Sequence, residues 1–294
     1  MPQLALFPIL LREMTVARTL PREPEPDLIM DGEEQVAAFV EAGRIDGVMA
    51  AAYLFNSAHI SSAIQGCKTV VDLGCGPATQ LAQVAELNPD INFIGVDMSP
   101  GMLANAERHV QALGLKNVRF VEADVTNITA LEAGSVDGVM STLALHHLPT
   151  YDHLRRCFAE VRRILQPRGA MCVIDLGRLK SLKSVIFFAY MNARHQPHLF
   201  SLDYERSLRA AFLREDFERA INETLPDLGA RVYTTSQIEL LIMCKTASRP
   251  LPPALVGRLR DLRECMKRRY RRDLDDMRLF FRLGGLEGDP FRQT

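Results

Sequence analysis

The chain has 294 residues, 47% hydrophobic and 24% charged, with 35 Lys plus Arg against 36 Asp plus Glu. A net charge of -1 gives no general pull toward nucleic acid or an anionic membrane, and no apolar run reaches the ~20 residues a membrane helix needs. The six cysteines are scattered without a C-x-x-C pair, which argues against a zinc or disulfide framework and suits a reducing, cytoplasmic setting.

Residues 1–31 read as irregular, because Pro21, Pro24 and Pro26 break any helix there. The apolar start is short and lacks a basic leader and a small-residue cleavage site, so neither a signal peptide nor an anchor is expected. From Gly32 to about Gln65, Val36, Phe39, Val40, Ile45, Val48 and Met49 recur at helical spacing. From Lys68 the texture changes. Strands are expected at 69–73, 92–96, 118–122, 136–140 and 170–175, with helices at 79–87, 100–113 and 151–165 between them. This alternation implies a parallel sheet with helices on both faces. Residues 177–225 read as helical and rich in aromatics, and 230–234 with 239–245 as a hairpin. Arg249-Pro250-Leu251-Pro252-Pro253 is a stiff linker. Residues 254–283 read as one long amphipathic helix with Leu259, Leu262, Met266, Tyr270, Leu274, Met277 and Phe281 along one stripe. That stripe must be buried on its own domain or in a homodimer.

The strongest local signal is Val70-Val71-Asp72-Leu73-Gly74-Cys75-Gly76-Pro77-Ala78-Thr79, between a strand and a helix. Glycines there let the backbone turn tightly and approach a ligand that a Cβ would block. Thr79 in the third glycine position and Asp72 before the turn both disfavour a pyrophosphate, and hence an NAD(P) enzyme. An acid beside the loop suits a ligand carrying a positive charge. Asp97 ends the next strand, where a ribose-binding acid is expected, and Asp124 ends the third, where it can accept from an adenine amino group. The fourth strand runs through Ser141-Thr142 into Leu145-His146-His147-Leu148-Pro149 at the same sheet edge.

D-L-G-C-G-P at 72–77, G-V-D-M-S-P-G-M-L at 95–103, E-A-D-V at 122–125, L-H-H-L-P at 145–149 and L-Q-P-R-G at 165–169 resemble, in order and spacing, the motifs of the class I S-adenosylmethionine (SAM)-dependent methyltransferases. The likeness is to the small-molecule branch with a type 11/25-like domain. It implies an α/β fold: a Rossmann-like, seven-stranded, mostly parallel sheet with an antiparallel last strand. The expected organisation is an N-terminal segment and helical lid at 1–66, a core at 67–246 with a helical insert at 177–225, and a linker and C-terminal helix at 247–294. It also implies methyl transfer from SAM, leaving S-adenosylhomocysteine (SAH), to a small molecule, apolar or aromatic given the insert. By resemblance, Asp72, Gly74, Cys75 and Gly76 surround the methionine part. Asp97 takes the ribose, Met98 and Met102 pack near the adenine, Asp124 and Val125 hold its edge, and Ser141 or Thr142 lies near the methionine part. Ala78 departs from the pattern, since many relatives carry glycine there.

Each reading has a plainer competitor. Asp72, Asp97 and Asp124 can each cap a loop. His146 and His147 can pack, serve as a base, or bind a metal whose third ligand the sequence does not name. Of the two, the resemblance favours His147 as the base, since related enzymes recurrently place a His there, facing the substrate. Tyr53, His146, Tyr190 and His195 are candidate acceptor-pocket residues, each with packing as its alternative, and His195 with His198 has the look of a metal pair that Pro197 disfavours. No resident metal is expected. The Arg- and Lys-rich terminal helix is interleaved with acids, which favours a solvated face over a nucleic-acid surface. The competing function is a SAM-binding or degenerate methyltransferase fold that serves as a partner in a larger assembly.

Overall fold

Short runs of β-branched and aromatic residues make the strands, and Pro, Gly and Asn between them make the breaks. The computed structural model describes residues 6–17, 19–26 and 47–292. The strands are β1 (Thr69–Leu73), β2 (Asn92–Asp97), β3 (Val118–Glu122), β4 (Val136–Thr142), β5 (Leu165–Leu176), β6 (Arg231–Thr234) and β7 (Leu241–Lys245). Among the described residues they form one sheet in the order β3-β2-β1-β4-β5-β7-β6. Strands β1 to β5 pair in parallel, and β7 lies antiparallel between β5 and β6. This is the Rossmann-like α/β sheet that the sequence implied.

The side-chain alternation of the strands supplies two apolar faces. Val70, Phe93, Met140 and Cys172 join one core. It is covered by α2 (Ala50–Ile64), α3 (Thr79–Leu87) and α4 (Pro100–Ala112). Val71, Ile94, Val139 and Met171 join the other, covered by α5 (Tyr151–Ile164) and α8 (Arg214–Thr224). The insert also supplies α6 (Leu182–Tyr190) and α7 (His198–Ala210), which pack in a third apolar cluster beyond the end of β5.

Several expectations change. Helix α1 (Phe7–Thr15) replaces irregular chain, with Pro8 in its first turn, where the missing N–H costs nothing. Its Ile9 is buried against the insert. Of the expected helix over 32–65, Ala50–Ile64 is helical, while Val36, Phe39, Val40 and Ile45 lie outside the described residues. That helix is buried at all but one of its positions, because it lies between the sheet and the C-terminal helices. Strand β5 begins at Leu165 rather than 170, since Leu165 pairs with Val136 before a register shift. No helix among the described residues is long and apolar enough to cross a membrane.

The single C-terminal helix is in fact two, α9 (Pro253–Cys265) and α10 (Arg268–Leu283). Met266 is extended, with ψ 146°, although neither proline nor glycine stands there. The kink lets both halves lay their stripe on the domain: Leu259, Tyr270, Leu274 and Phe281 are fully or almost fully buried in the first core. The stripe is therefore occupied within the chain, on its own domain, the first of the two burials that its spacing allowed. Its charges pair locally, as in Arg263–Asp275 and Arg278–Asp289. Phe281 stacks on Phe55 with centroids 5.1 Å apart. Phe281→Ala is expected to lower the unfolding free energy by about 3–5 kcal/mol in urea titration without changing the oligomeric state. A loss below 1 kcal/mol would contradict this packing.

Candidate active site

Strand order reverses between β1 and β4, and a cleft opens there at the carboxyl ends of the strands. Its wall begins with the turn after β1. Gly74 and Gly76 have φ of +69° and +51°, which glycine adopts freely. A Cβ on Gly74 would lie 2.6 Å from that of Ala144, whereas one on Gly76 would meet nothing. Ala78, the departure from the family pattern, takes a left-handed φ of 59° at the start of α3. A glycine would hold that conformation without strain.

Gly74, Cys75 and Gly76 line the cleft, as do Asp97, Met98 and Met102. Asp97 accepts from the backbone N–H of Gly76 at 2.8 Å and from Ser99 at 3.0 Å, so the carboxylate knits the first two loops together. Asp124 and Val125 close the far side, with Asp124 exposed and accepting from the Thr126 N–H at 2.8 Å. Thr142 lines the wall too. Ser141 does not: it is buried and donates to the Leu73 carbonyl at 2.7 Å, a tie between β1 and β4. Asp72 also stands behind the wall, 2% exposed, with Oδ1 lacking a partner. Burial, and then the charge of Asp97, push its carboxyl well above the usual range.

A second cavity of about 250 Å³ adjoins the first, and Leu143 and His147 line both. Leu143 has a positive φ of 51°, a strained turn for a branched residue at the junction. The second chamber is mainly apolar, with Phe188, Phe200 and Tyr204 from the insert and Phe280 from α10 in its wall. Of the expected acceptor-pocket residues, His146 lines it. Tyr53 lines the first cleft instead. Tyr190 and His195 line neither cavity: the Tyr190 hydroxyl donates to Glu205 at 3.1 Å, and His195 is exposed beyond the end of α6.

The two histidines sit on a single 3₁₀ turn, Leu145–His147, with their rings 4.2 Å apart. His146 Nδ1 is 2.6 Å from Asp175 Oδ1, both side chains being almost fully buried, and its backbone N–H donates to Asp175 Oδ2 at 3.1 Å. His147 Nδ1 lies 3.0 Å from Glu25 Oε2. Burial works against a charged His147, but the Glu25 hydrogen bond and charge prevail and raise its pKa above the ordinary histidine value. Among the described residues, Glu25, His146 and His147 are the one set of three side chains close enough to share a metal; His195 and His198 gather no third ligand.

Sequence reasoning missed Glu25, Gln80 and Asp175 as site residues. Asp175 ends β5 at the same edge as the other acids, so the rule that found Asp97 could have found it. Gln80 lines the cleft and holds it to α2, donating to the Tyr53 carbonyl at 3.2 Å and the Ser57 hydroxyl at 2.8 Å. Glu25 carries no motif.

Residues 70–169 match the family model described as a methyltransferase domain. That segment, about a third of the chain, is thus a methyltransferase domain by this match. Among curated proteins, the chain is 39% identical over 104 residues to a trans-aconitate 2-methyltransferase of Deinococcus radiodurans, covering 35% of this chain and 36% of that protein. The chain thus matches little more than a third of that relative's length. Among solved structures, a SAM-dependent methyltransferase from Methanococcus maripaludis described as putative superposes with a TM-score of 0.55 at 17% identity, over 79% of this chain and 98% of that one. A plantazolicin methyltransferase in complex with a triazolic analogue and SAH gives a TM-score of 0.52 at 15% identity, over 88% and 86%.

Asp72 carries a stability consequence. Its folded pKa is raised, so the folded chain holds this proton more tightly than the unfolded one. Its contribution is favourable below the ordinary carboxylate range and is lost as pH rises through the folded pKa. Asp72→Asn is therefore expected to unfold at a higher temperature than wild type at neutral pH, by the equivalent of about 0.5–2 kcal/mol, with the gap closing toward pH 4. A gap independent of pH would place the charge elsewhere.

Proposed function

We propose that this protein transfers the methyl group of SAM to an apolar or aromatic small molecule, with His147 as the general base. The observation that carries the reading is the shared wall: His147 and Leu143 border both the glycine-loop cleft and the apolar chamber. A donor in one and an acceptor in the other would meet there, and alignment of the two supplies much of the rate in such a displacement.

The residues present suit the donor. Gly74 and Gly76 would pass beneath its methionine part, with Thr142 and Cys75 beside it. Asp72 has an unpartnered buried oxygen, which an α-ammonium group would satisfy. Asp97 would accept from the ribose hydroxyls through lone pairs that its two backbone donors leave open. Met98 and Met102 would pack near the adenine, and Asp124 and Val125 would hold its edge. Ser141 is withdrawn from this set, because its hydroxyl is spent on Leu73. When bound, SAM supplies an electrophilic methyl on a sulfonium.

The acceptor's X–H proton passes to the free nitrogen of His147. The lone pair so released would be free to take the methyl carbon, and the electron pair of the broken carbon–sulfur bond would stay on the donor sulfur, leaving SAH. The described chamber wall has no Lys or Arg, so a tricarboxylate of the kind named for the trans-aconitate relatives would find no counter-charge among these residues. An uncharged aromatic acceptor suits the wall better. A free small molecule as partner, without nucleic acid or membrane, agrees with the near-zero net charge, and a cytoplasmic location agrees with six unpaired cysteines.

Incubation with methyl-labelled SAM and a panel of phenols and uncharged heteroaromatics, with trans-aconitate alongside, tests the reading. Label is expected in an aromatic acceptor, and His147→Gln is expected to lower kcat about 10²–10⁴-fold with SAH binding retained. Efficient labelling of trans-aconitate, or an unaffected His147→Gln, would overturn the assignment of acceptor or base.

A further inference from the structure

The base proposed above stands on a partner that comes from outside the methyltransferase domain. Residues 19–26 lie over the loop that follows β4, and Arg22 pins them there. Its guanidinium donates to the carbonyls of His146 at 2.9 Å, Leu148 at 2.5 Å, Pro149 at 2.5 Å and Ala210 at 2.7 Å, and it lies 3.9 Å above the Phe212 ring. One side chain thereby joins the N-terminal segment, the His-His turn and the end of α7 in the insert. Burial lowers its pKa to about 10, which still leaves it charged at neutral pH.

Three residues on, Glu25 is held on both oxygens. Oε1 accepts from the Ser207 hydroxyl on α7 at 2.8 Å, and Oε2 faces His147 Nδ1 at 3.0 Å. Burial works against the carboxylate, yet the hydrogen bond and charge of His147 bring its pKa below the ordinary value. An ionised carboxylate can only accept, so Nδ1 of His147 must carry a proton, and in the neutral ring Nε2 is left bare. The neighbouring His146 is tied to Asp175 in the same way and competes for neither.

We infer that Glu25 is the positioning residue of this site: the N-terminal strap, clipped by Arg22, delivers a carboxylate that fixes the His147 tautomer and so completes a base the core domain holds only in part. The inference rests on the methyltransferase reading and on His147 as its base. The groups facing His147 are Glu25 from the strap, Asp175 from β5, Asp97 from β2 and His146 on its own turn. Glu25 alone among the four makes a hydrogen bond to the His147 ring among the described residues. The rival occupant of this cluster is a divalent cation on Glu25, His146 and His147. The contacts favour the proton, because a cation would have to break the 3.0 Å Glu25–His147 bond.

Two variants separate charge from geometry. Glu25→Gln keeps an acceptor opposite Nδ1 and removes the charge; Glu25→Ala removes both. In full-length protein labelled with ¹⁵N-histidine and saturated with SAH, His147 is assigned by its loss in His147→Gln, and its ring is titrated by NMR. Wild type should show Nδ1–H with bare Nε2 above its pKa. Glu25→Gln should keep that tautomer with the pKa lowered by about 1 unit or more. Glu25→Ala should lower the pKa similarly and mix the tautomers. In each, SAH affinity should stay within about twofold. An unmoved pKa in Glu25→Gln, or an unchanged tautomer in Glu25→Ala, overturns the inference. So does micromolar 1:1 zinc binding to the wild type that Glu25→Gln abolishes. Absent SAH binding in wild type would instead strike the methyltransferase reading itself.

Discussion

The reversal of strand order between β1 and β4 is the constraint on which everything else depends. A right-handed crossover from β1 carries α3 to one face of the sheet, and one from β4 carries α5 to the other. The two connections therefore part at the sheet edge, and no helix can fill the gap between them. The open edge gathers the ends of β1, β2, β3 and β4, each of which brings an acid or a hydroxyl. The chemistry of the site follows from where the backbone cannot close.

That edge is expensive to maintain. Asp72 is buried with an unpartnered oxygen, Asp97 stands close enough to raise its pKa, and Leu143 and Ala78 sit at positive φ. Each is a departure from what the fold alone would select, and these four lie on or beside the two cavities, while Arg168, also at positive φ, lies at the far end of β5. Such concentrated strain is characteristic of a surface shaped for a ligand. The two cores and the pinned C-terminal helices supply the stability that tolerates it. The apolar stripe over 259–281 belongs to this support.

The core was legible because its signals are local. Alternating apolar runs mark the strands to within a few residues, and Gly74, Gly76, Asp97 and Asp124 stand at or just beyond strand ends in the sequence pattern itself. Where the reading failed, the determinant was tertiary. Ser141 looked like a ligand-facing hydroxyl, but only the pairing of β4 beside β1 shows its bond to Leu73. The kink at Met266 carries no proline or glycine. Tyr190 and His195 were chosen as pocket residues from the general location of the insert, but the Tyr190 hydroxyl is spent on Glu205 and His195 falls on the exposed turn after α6. Glu25 lies among prolines in a segment without periodicity, and only the Arg22 clip brings it to His147.

The central claim is that the glycine-loop cleft binds the methyl donor through Asp97. Calorimetric titration with SAH, on wild type and on Asp97→Ala, tests it most directly. The account predicts saturable 1:1 binding in the wild type and a loss of at least tenfold in the variant, about 1.4 kcal/mol. Equal affinity in both proteins, or no binding in the wild type, would contradict it.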